Sequence, residues 1–187
     1  MSKELPSPEL LRKLLRYEPE TGKLFWRERT PDLFKDGKYS AERNCAAWNG
    51  AWSGKEAFTA IDGQGYKVGS IFCCDYTAHR VIWAMVHGEW PIKQIDHING
   101  IRDDNRITEL RDVTHEENSK NQKRPLTNTS GVVGVSWYGR VQKWHARIQV
   151  GGKPKHLGYF TDFNEAVAAR KAAEVKHGFH ENHGRAS

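Results

Sequence analysis

Apolar positions recur along this chain with two different periods, and the period changes from segment to segment. In PELLRKLL, residues 8–15, Leu10, Leu11, Leu14 and Leu15 fall on one helical face. Ser7 suits the N-cap of that helix and Pro8 its first turn. YEPETGKLFW then predicts a turn and a short strand, and residues 27–60, with Gly, Asn and charge scattered between aromatics, predict loops and short strands. DGQGYKVGSIFCCDYTAHR predicts a glycine-marked turn followed by strands. From His79, Val81, Ile82, Met85 and Val86 stand at helical spacing, and Gly88 ahead of Pro91 ends the helix.

The middle of the chain then reads strand (KQIDHI), turn-rich loop (NGIRDDN), strand (ELRDVT) and helix (HEENSKNQK). Thr114 can cap that helix, and Glu116 and Glu117 suit its first turn. KNQKRPLTNTSG, with Pro125 and a run of turn formers, predicts a linker. Beyond it KWHARIQV alternates strictly. Trp144, Ala146, Ile148 and Val150 take one face and Lys143, His145, Arg147 and Gln149 the other, the pattern of a half-buried antiparallel strand. GVVGVSWY and KPKHLGYF are strand-like neighbours, with Gly151 and Gly152 at the second turn. A last helix from Asp162 to about His177 opens on an Asp-x-x-Glu cap and lines Ala166, Ala169 and Ala173 along one stripe. The expected class is α+β, with a three-stranded antiparallel sheet packed on one helix at the C-terminal end.

Composition narrows the classes. The 187 residues make room for one medium domain or two small ones, and 37% hydrophobic against 28% charged residues supports packed cores. No apolar run approaches the roughly 20 residues that span a bilayer, and MSKELPSPEL lacks a signal peptide's apolar region, so no membrane partner and a cytoplasmic setting are expected. Cys45, Cys73 and Cys74 form no C-x-x-C and read as buried thiols. The glycines near residue 65 miss the dinucleotide fingerprint, so no nucleotide cofactor is expected. The net charge of +6 is uneven: residues 1–118 hold 17 basic against 19 acidic side chains, residues 119–187 hold 12 against 4. A basic C-terminal part suits a polyanion, although a solvated lysine-rich surface has the same composition.

IDHINGIRDDNRI, residues 95–107, raises the question of chemistry. Hydrolysing a phosphodiester requires a base for the attacking water, a cation at the developing charge, and rigid placement of both. His97 titrates near neutrality and suits the base. Asp96 and Asn118 offer oxygens to a hard divalent ion, and Asn105 can brace the loop and orient the imidazole. On residue types alone the same four read more readily as a satisfied histidine, a turn carboxylate, a turn former and a cap. Arg80, Arg106 and Arg111 stay open between phosphate contact and pairing with Asp103, Asp104 and Glu109, and His79 reads as a structural hydrogen bond.

The run HRVIWAMVHGEWP-x-x-x-IDHINGIRDDNRITELRDVTHEEN resembles the HNH endonuclease family, in the homing-endonuclease-like branch of phage genomes. The resemblance extends over residues 5–121 and implies a ββα-metal (His-Me finger) nuclease core at about 79–121. It implies His97 as catalytic base, Asn105 as its orienting catalytic partner, Asp96 and Asn118 as ligands of Mg²⁺ or Mn²⁺, and a phage-infected or lysogenic bacterial cell as the setting. The motif ends in Asn where much of the family has His, which leaves His115 and Asn121 open as substitute or additional ligands.

Residues 128–178 resemble the Apetala-two DNA-binding domain, through G-V-S-W, K-W-x-A-x-I, L-G-x-F and the E-A-x-x-A helix. That resemblance implies that Ser136, Tyr138, Lys143, Arg147, Gln149 and His156 face DNA, while Trp144, Ala146, Ile148 and Leu157 pack inward. His177, His180 and His183 read as a frayed tail. The expected organisation is a nuclease domain at 1–121, a basic linker at 122–127 and a DNA-binding domain at 128–187. The expected function is site-specific, metal-dependent cleavage of double-stranded DNA, nicking or double-strand, by a monomer or homodimer. The alternative is a sequence-specific DNA-binding regulator with an inactive nuclease half.

Overall fold

The computed structural model of the chain describes residues 4–186. They divide into two compact units, one ending at Asp112 and the other beginning at Val113.

In the first unit, helix α1 (Pro8–Leu14) starts where the Ser7 hydroxyl accepts from the Leu10 N–H at 3.2 Å. Leu11 and Leu14 are fully buried. Leu15, expected on the same helical face, instead opens strand β1 (Leu15–Glu18) and is buried from there. β1 pairs antiparallel with β2 (Lys23–Trp26) around Gly22, whose φ of 70° is one that a side chain disfavours. Helix α2 (Ala41–Trp52) fills part of the stretch expected to be loops and short strands. Its Ser40 cap accepts from Arg43 N–H, but only Cys45 is buried along it, so it has no apolar stripe for periodicity to reveal. Strand β3 (Glu56–Ala57) then adds to the edge of β2.

A second sheet follows in the order β4 (Ala60–Ile61), β5 (Lys67–Ile71), β6 (Cys74–Thr77), all antiparallel. It leads into α3 (Ala78–His87), which ends at left-handed Gly88 as the sequence predicts. Ala78, Val81, Ile82 and Met85 form the buried stripe at i, i+3, i+4 and i+7. Val86, grouped with them on sequence, lies one residue around the helix from Met85 and is 44% exposed. These helical residues, Leu11, Leu14, Leu24, Phe58, Ile71, Ile95 and Leu110 make one core. Strands β7 (Gln94–His97) and β8 (Leu110–Val113) pair as a two-stranded sheet beside it, and the division between the units falls inside β8.

The second unit opens with α4 (His115–Ser119). Thr114 and Glu117 form a complete capping box, but the helix is five residues long, shorter than HEENSKNQK predicts. The chain beyond it is held by other bonds. The N–H groups of His180 and Gly184 donate to the carbonyls of Lys120 and Gln122, and Arg124 N–H donates to Arg185. The C-terminal histidines are therefore folded, not frayed: His183 is 8% exposed. Residues 122–127, expected as a linker, lie in the same unit as this tail.

Strands β9 (Val135–Tyr138), β10 (Lys143–Val150) and β11 (Lys153–Phe160) form an antiparallel sheet with β10 central, and α5 (Phe163–Lys176) packs on it. Ala146 and Ile148 are buried and Arg147 and Gln149 exposed, as alternation requires. Ala166 and Ala173 seat the helix as expected. Buried Arg170, 2% exposed and paired with Glu174 at 3.0 Å, occupies the same stripe without any apolar signal in the sequence.

Candidate functional site

β7 carries Asp96 and His97 into the first unit, where they are 8% and 3% exposed. The loop that follows brings Asn105 back against them. Its Oδ1 lies 3.2 Å from His97 Nε2, and its Nδ2 donates to the Asp103 carbonyl at 3.4 Å. A carboxamide oxygen only accepts, so Nε2 carries the hydrogen and Nδ1 is left as the basic nitrogen. Burial lowers the His97 pKa below the usual imidazole value, opposed by the Asn105 bond and the Asp96 charge. The ring is therefore neutral, and able to take a proton, at pH 7.

The loop is held from several sides. Asp104 receives Arg106 at 2.8 and 2.5 Å and the Asn99 amide at 2.7 Å. Those bonds, Arg106 first, hold its carboxyl down to about 2. Arg106 is thus engaged in the loop, one of the two roles left open on sequence. From β1, the Tyr17 hydroxyl accepts from Ile107 N–H at 2.8 Å and donates to the Asn105 carbonyl at 3.1 Å. At the β1–β2 turn the Gly22 backbone approaches so closely that a Cβ would lie 2.6 Å from both Asn105 C and Arg106 N. Neither Tyr17 nor Gly22 belongs to the motif at residues 95–107. Gly22 sits in a readable turn, but the 82 residues between it and Asn105 hide the contact.

Aromatic rings close another side. Tyr66 lies 4.9 Å from the His79 ring centre and 5.8 Å from that of His97, and the two imidazoles meet edge-on at 5.3 Å. His79 Nε2 is 3.2 Å from the Thr77 hydroxyl, which bears out a hydrogen-bonding role. Burial, then the neighbouring His97, pushes the His79 pKa down to about 3. Arg102 stands 5.2 Å over the Tyr66 ring and donates to the Gln64 carbonyl.

Asp96 Oδ2 accepts from Arg111 Nε at 2.9 Å and Nη2 at 2.6 Å. Sequence had offered Arg111 the acids of the loop and the neighbouring Glu109. The actual partner comes from pairing β8 with β7. Among the described residues, no group of three or more His, Cys, Asp or Glu side chains converges as a metal site. Carboxylate and carboxamide oxygens are nonetheless the donor type that suits a hard divalent ion that keeps several waters. The structure brings Asp96, His97 and Asn105 together; Asn118 lies on α4 of the second unit, its N–H donating to Thr114. His115 is exposed on α4, whereas the Asn121 carboxamide oxygen accepts from Arg185 at 3.2 Å.

On the sheet of the second unit, Ser136, Tyr138, Arg147, Gln149 and His156 are exposed and Lys143 is half-buried. Register pairs Lys143 with Tyr138, His145 with Ser136 and Arg147 with His156, so these residues share one face. On it, Tyr138 and Tyr159 stack at 5.7 Å, and His145 Nε2 lies 2.9 Å from His156 Nδ1.

Residues 76–120, which span β6 to α4, match the model of the HNH endonuclease family, described as HNH endonuclease. The chain carries an HNH endonuclease domain there. It is also 35% identical over 91 residues to Protein 3.8 of Escherichia phage T7, an alignment that covers 48% of this chain and 74% of that protein. The chain belongs to the family of Protein 3.8. No solved structure matches it. No helix among the described residues is long and apolar enough to cross a membrane.

Proposed function

We propose that the protein is a site-specific, divalent-metal-dependent DNA endonuclease of the homing-endonuclease-like type. The observation that carries this reading is the Asn105 carboxamide at 3.2 Å from His97 inside the matched HNH region. His97 Nδ1 would take the proton of the attacking water, with Asn105 fixing the tautomer and the plane of the ring. Asp96 and Asn118 would hold Mg²⁺ or Mn²⁺, which when bound supplies positive charge to the scissile phosphate. The oxygen donors support this ligand set. Arg102, whose guanidinium lies over the Tyr66 ring, would meet a phosphate of the same strand.

The second unit is proposed as an Apetala-two-like reader of double-stranded DNA, with Ser136, Tyr138, Lys143, Arg147, Gln149 and His156 as its contact face. Arg147 and Gln149 would read base edges while Lys143 and Tyr138 grip phosphate. Their common face and the basic balance of residues 119–187 support this. The reader would raise the effective concentration of the nuclease at chosen sites, with residues 1–121 and 128–187 as the functional domains and 122–127 between them.

One observation favours the regulator alternative: Asp96 already holds the Arg111 guanidinium. Supercoiled plasmid incubated with Mg²⁺ or Mn²⁺ separates the two. Nicking or linearisation that is lost in EDTA supports the endonuclease; binding without cleavage across several DNA sequences and both ions supports the regulator.

A further inference from the structure

Two buried imidazoles meet at this site, and the reading above uses only one. His79 is 7% exposed, and its Nε2 is matched to the Thr77 hydroxyl at 3.2 Å. Its Nδ1 is buried and has no hydrogen-bond partner among the described residues. A buried polar nitrogen of this kind is destabilising unless something outside the protein satisfies it. Its location narrows the choice. The ring centre lies 5.3 Å from that of His97 and shares the Tyr66 wall with it. His97 is as enclosed as His79, so whatever movement admits a phosphodiester to the base admits it to the neighbouring ring.

We propose that His79 Nδ1 donates a hydrogen bond to a non-bridging oxygen of the scissile phosphate, making His79 a second catalytic imidazole beside the base. This rests on the nuclease reading of the site. Thr77 sets the tautomer: its hydroxyl makes no helix-capping bond and can donate to Nε2, which leaves the hydrogen on Nδ1. No proton is transferred by His79. The neutral donor meets charge that grows on the phosphoryl oxygens as water attacks, in a site where donors to such an oxygen are each worth on the order of 100-fold in rate.

Two isosteric variants divide the ring's two ends. In His79→Asn the side-chain amide stands where Nδ1 was and the Thr77 contact is lost; in His79→Gln the amide reaches Thr77 and the Nδ1 donor is lost. Single-turnover cleavage should stay within about tenfold of wild type in H79N and fall about 100-fold in H79Q, with unchanged DNA affinity and similar melting temperatures. The reverse ranking, or equal rates in the two variants, overturns the proposal. A second readout does not need cleavage. In the intact protein, the His79 Nδ1–H resonance should shift saturably with inorganic phosphate and not with chloride at equal ionic strength. Absence of that shift overturns the phosphate contact even if wild type cuts DNA. A shift in a protein that cuts no DNA overturns the nuclease reading and leaves the phosphate contact standing.

Discussion

Arg111 on β8 lays its guanidinium across the carboxylate of Asp96 on β7, two bonds of 2.9 and 2.6 Å to a single oxygen. The pair sits next to the proposed base, and it makes the charge on Asp96 tolerable in a position only 8% exposed. It also means that a cation approaching Asp96 meets a carboxylate that is already paired with a guanidinium.

Replacing that guanidinium should therefore have opposite effects on stability and on metal affinity. Arg111→Gln is expected to lower stability by about 1–3 kcal/mol without divalent ions, because a buried carboxylate loses its two guanidinium hydrogen bonds. Mg²⁺ should restore part of the loss, since an ion bound only by the folded state stabilises it by mass action. Urea unfolding with and without Mg²⁺ measures both. Equal Mg²⁺ effects in wild type and R111Q would show that Asp96 is not a ligand.

The Asn105 bond should tune the base as well as place it. Burial already sets the His97 pKa below 6.5, and the Asn105 bond raises it from there. The acid limb of the cleavage profile is thus expected below pH 6.5 in wild type. It should move further down in Asn105→Ala, which removes the raising bond, and up in Asn105→Asp, which places a negative charge beside the ring. N105A should also lose about 10- to 100-fold in rate through misorientation. A pH–rate series on the three proteins reads the order.

Tyr17 on β1 braces the loop that carries Asn105. Tyr17→Phe leaves the Asn105 carbonyl and the Ile107 N–H without their shared partner and should cost about 1–3 kcal/mol. The loss should appear as faster amide exchange at residues 103–107 and a reduced cleavage rate with little change in DNA affinity. Uniform destabilisation with unaltered loop exchange would contradict the brace.

Acid should weaken the first unit through His79. Its folded pKa of about 3 lies below the 6.5 of an exposed imidazole, so the unfolded chain binds a proton first. Stability from this group is complete above pH 6.5 and falls, as pH drops from 6.5 towards about 3, by about 1.4 kcal/mol per pH unit. Urea unfolding at pH 6.5, 5.5 and 4.5 should show a shallower decline in H79Q than in wild type.

Local sequence carried much of this arrangement. Ser7, Thr114 and Asp162 cap the helices they were expected to cap, Gly88 stops α3, and the alternation of KWHARIQV sets which face of β10 is buried. These features depend on neighbours within a few residues. The motif placed His97 and Asn105 together because only seven residues separate them. What stayed hidden came from distant or polar sources. α2 buries one cysteine and shows no stripe; Tyr17 and Gly22 reach Asn105 across more than 80 residues; Arg111 finds Asp96 only once β7 and β8 pair; the C-terminal histidines fold because backbone carbonyls at 120 and 122 accept from the N–H groups of His180 and Gly184.

The account stands on His97 as the base, and chemical rescue tests that most directly. A His97→Gly protein should bind DNA as tightly as wild type and cut it at least 100-fold more slowly with Mg²⁺ present, and added imidazole should restore cleavage with a saturable dependence that follows the fraction of neutral imidazole. Cleavage by H97G at the wild-type rate without imidazole would contradict the account.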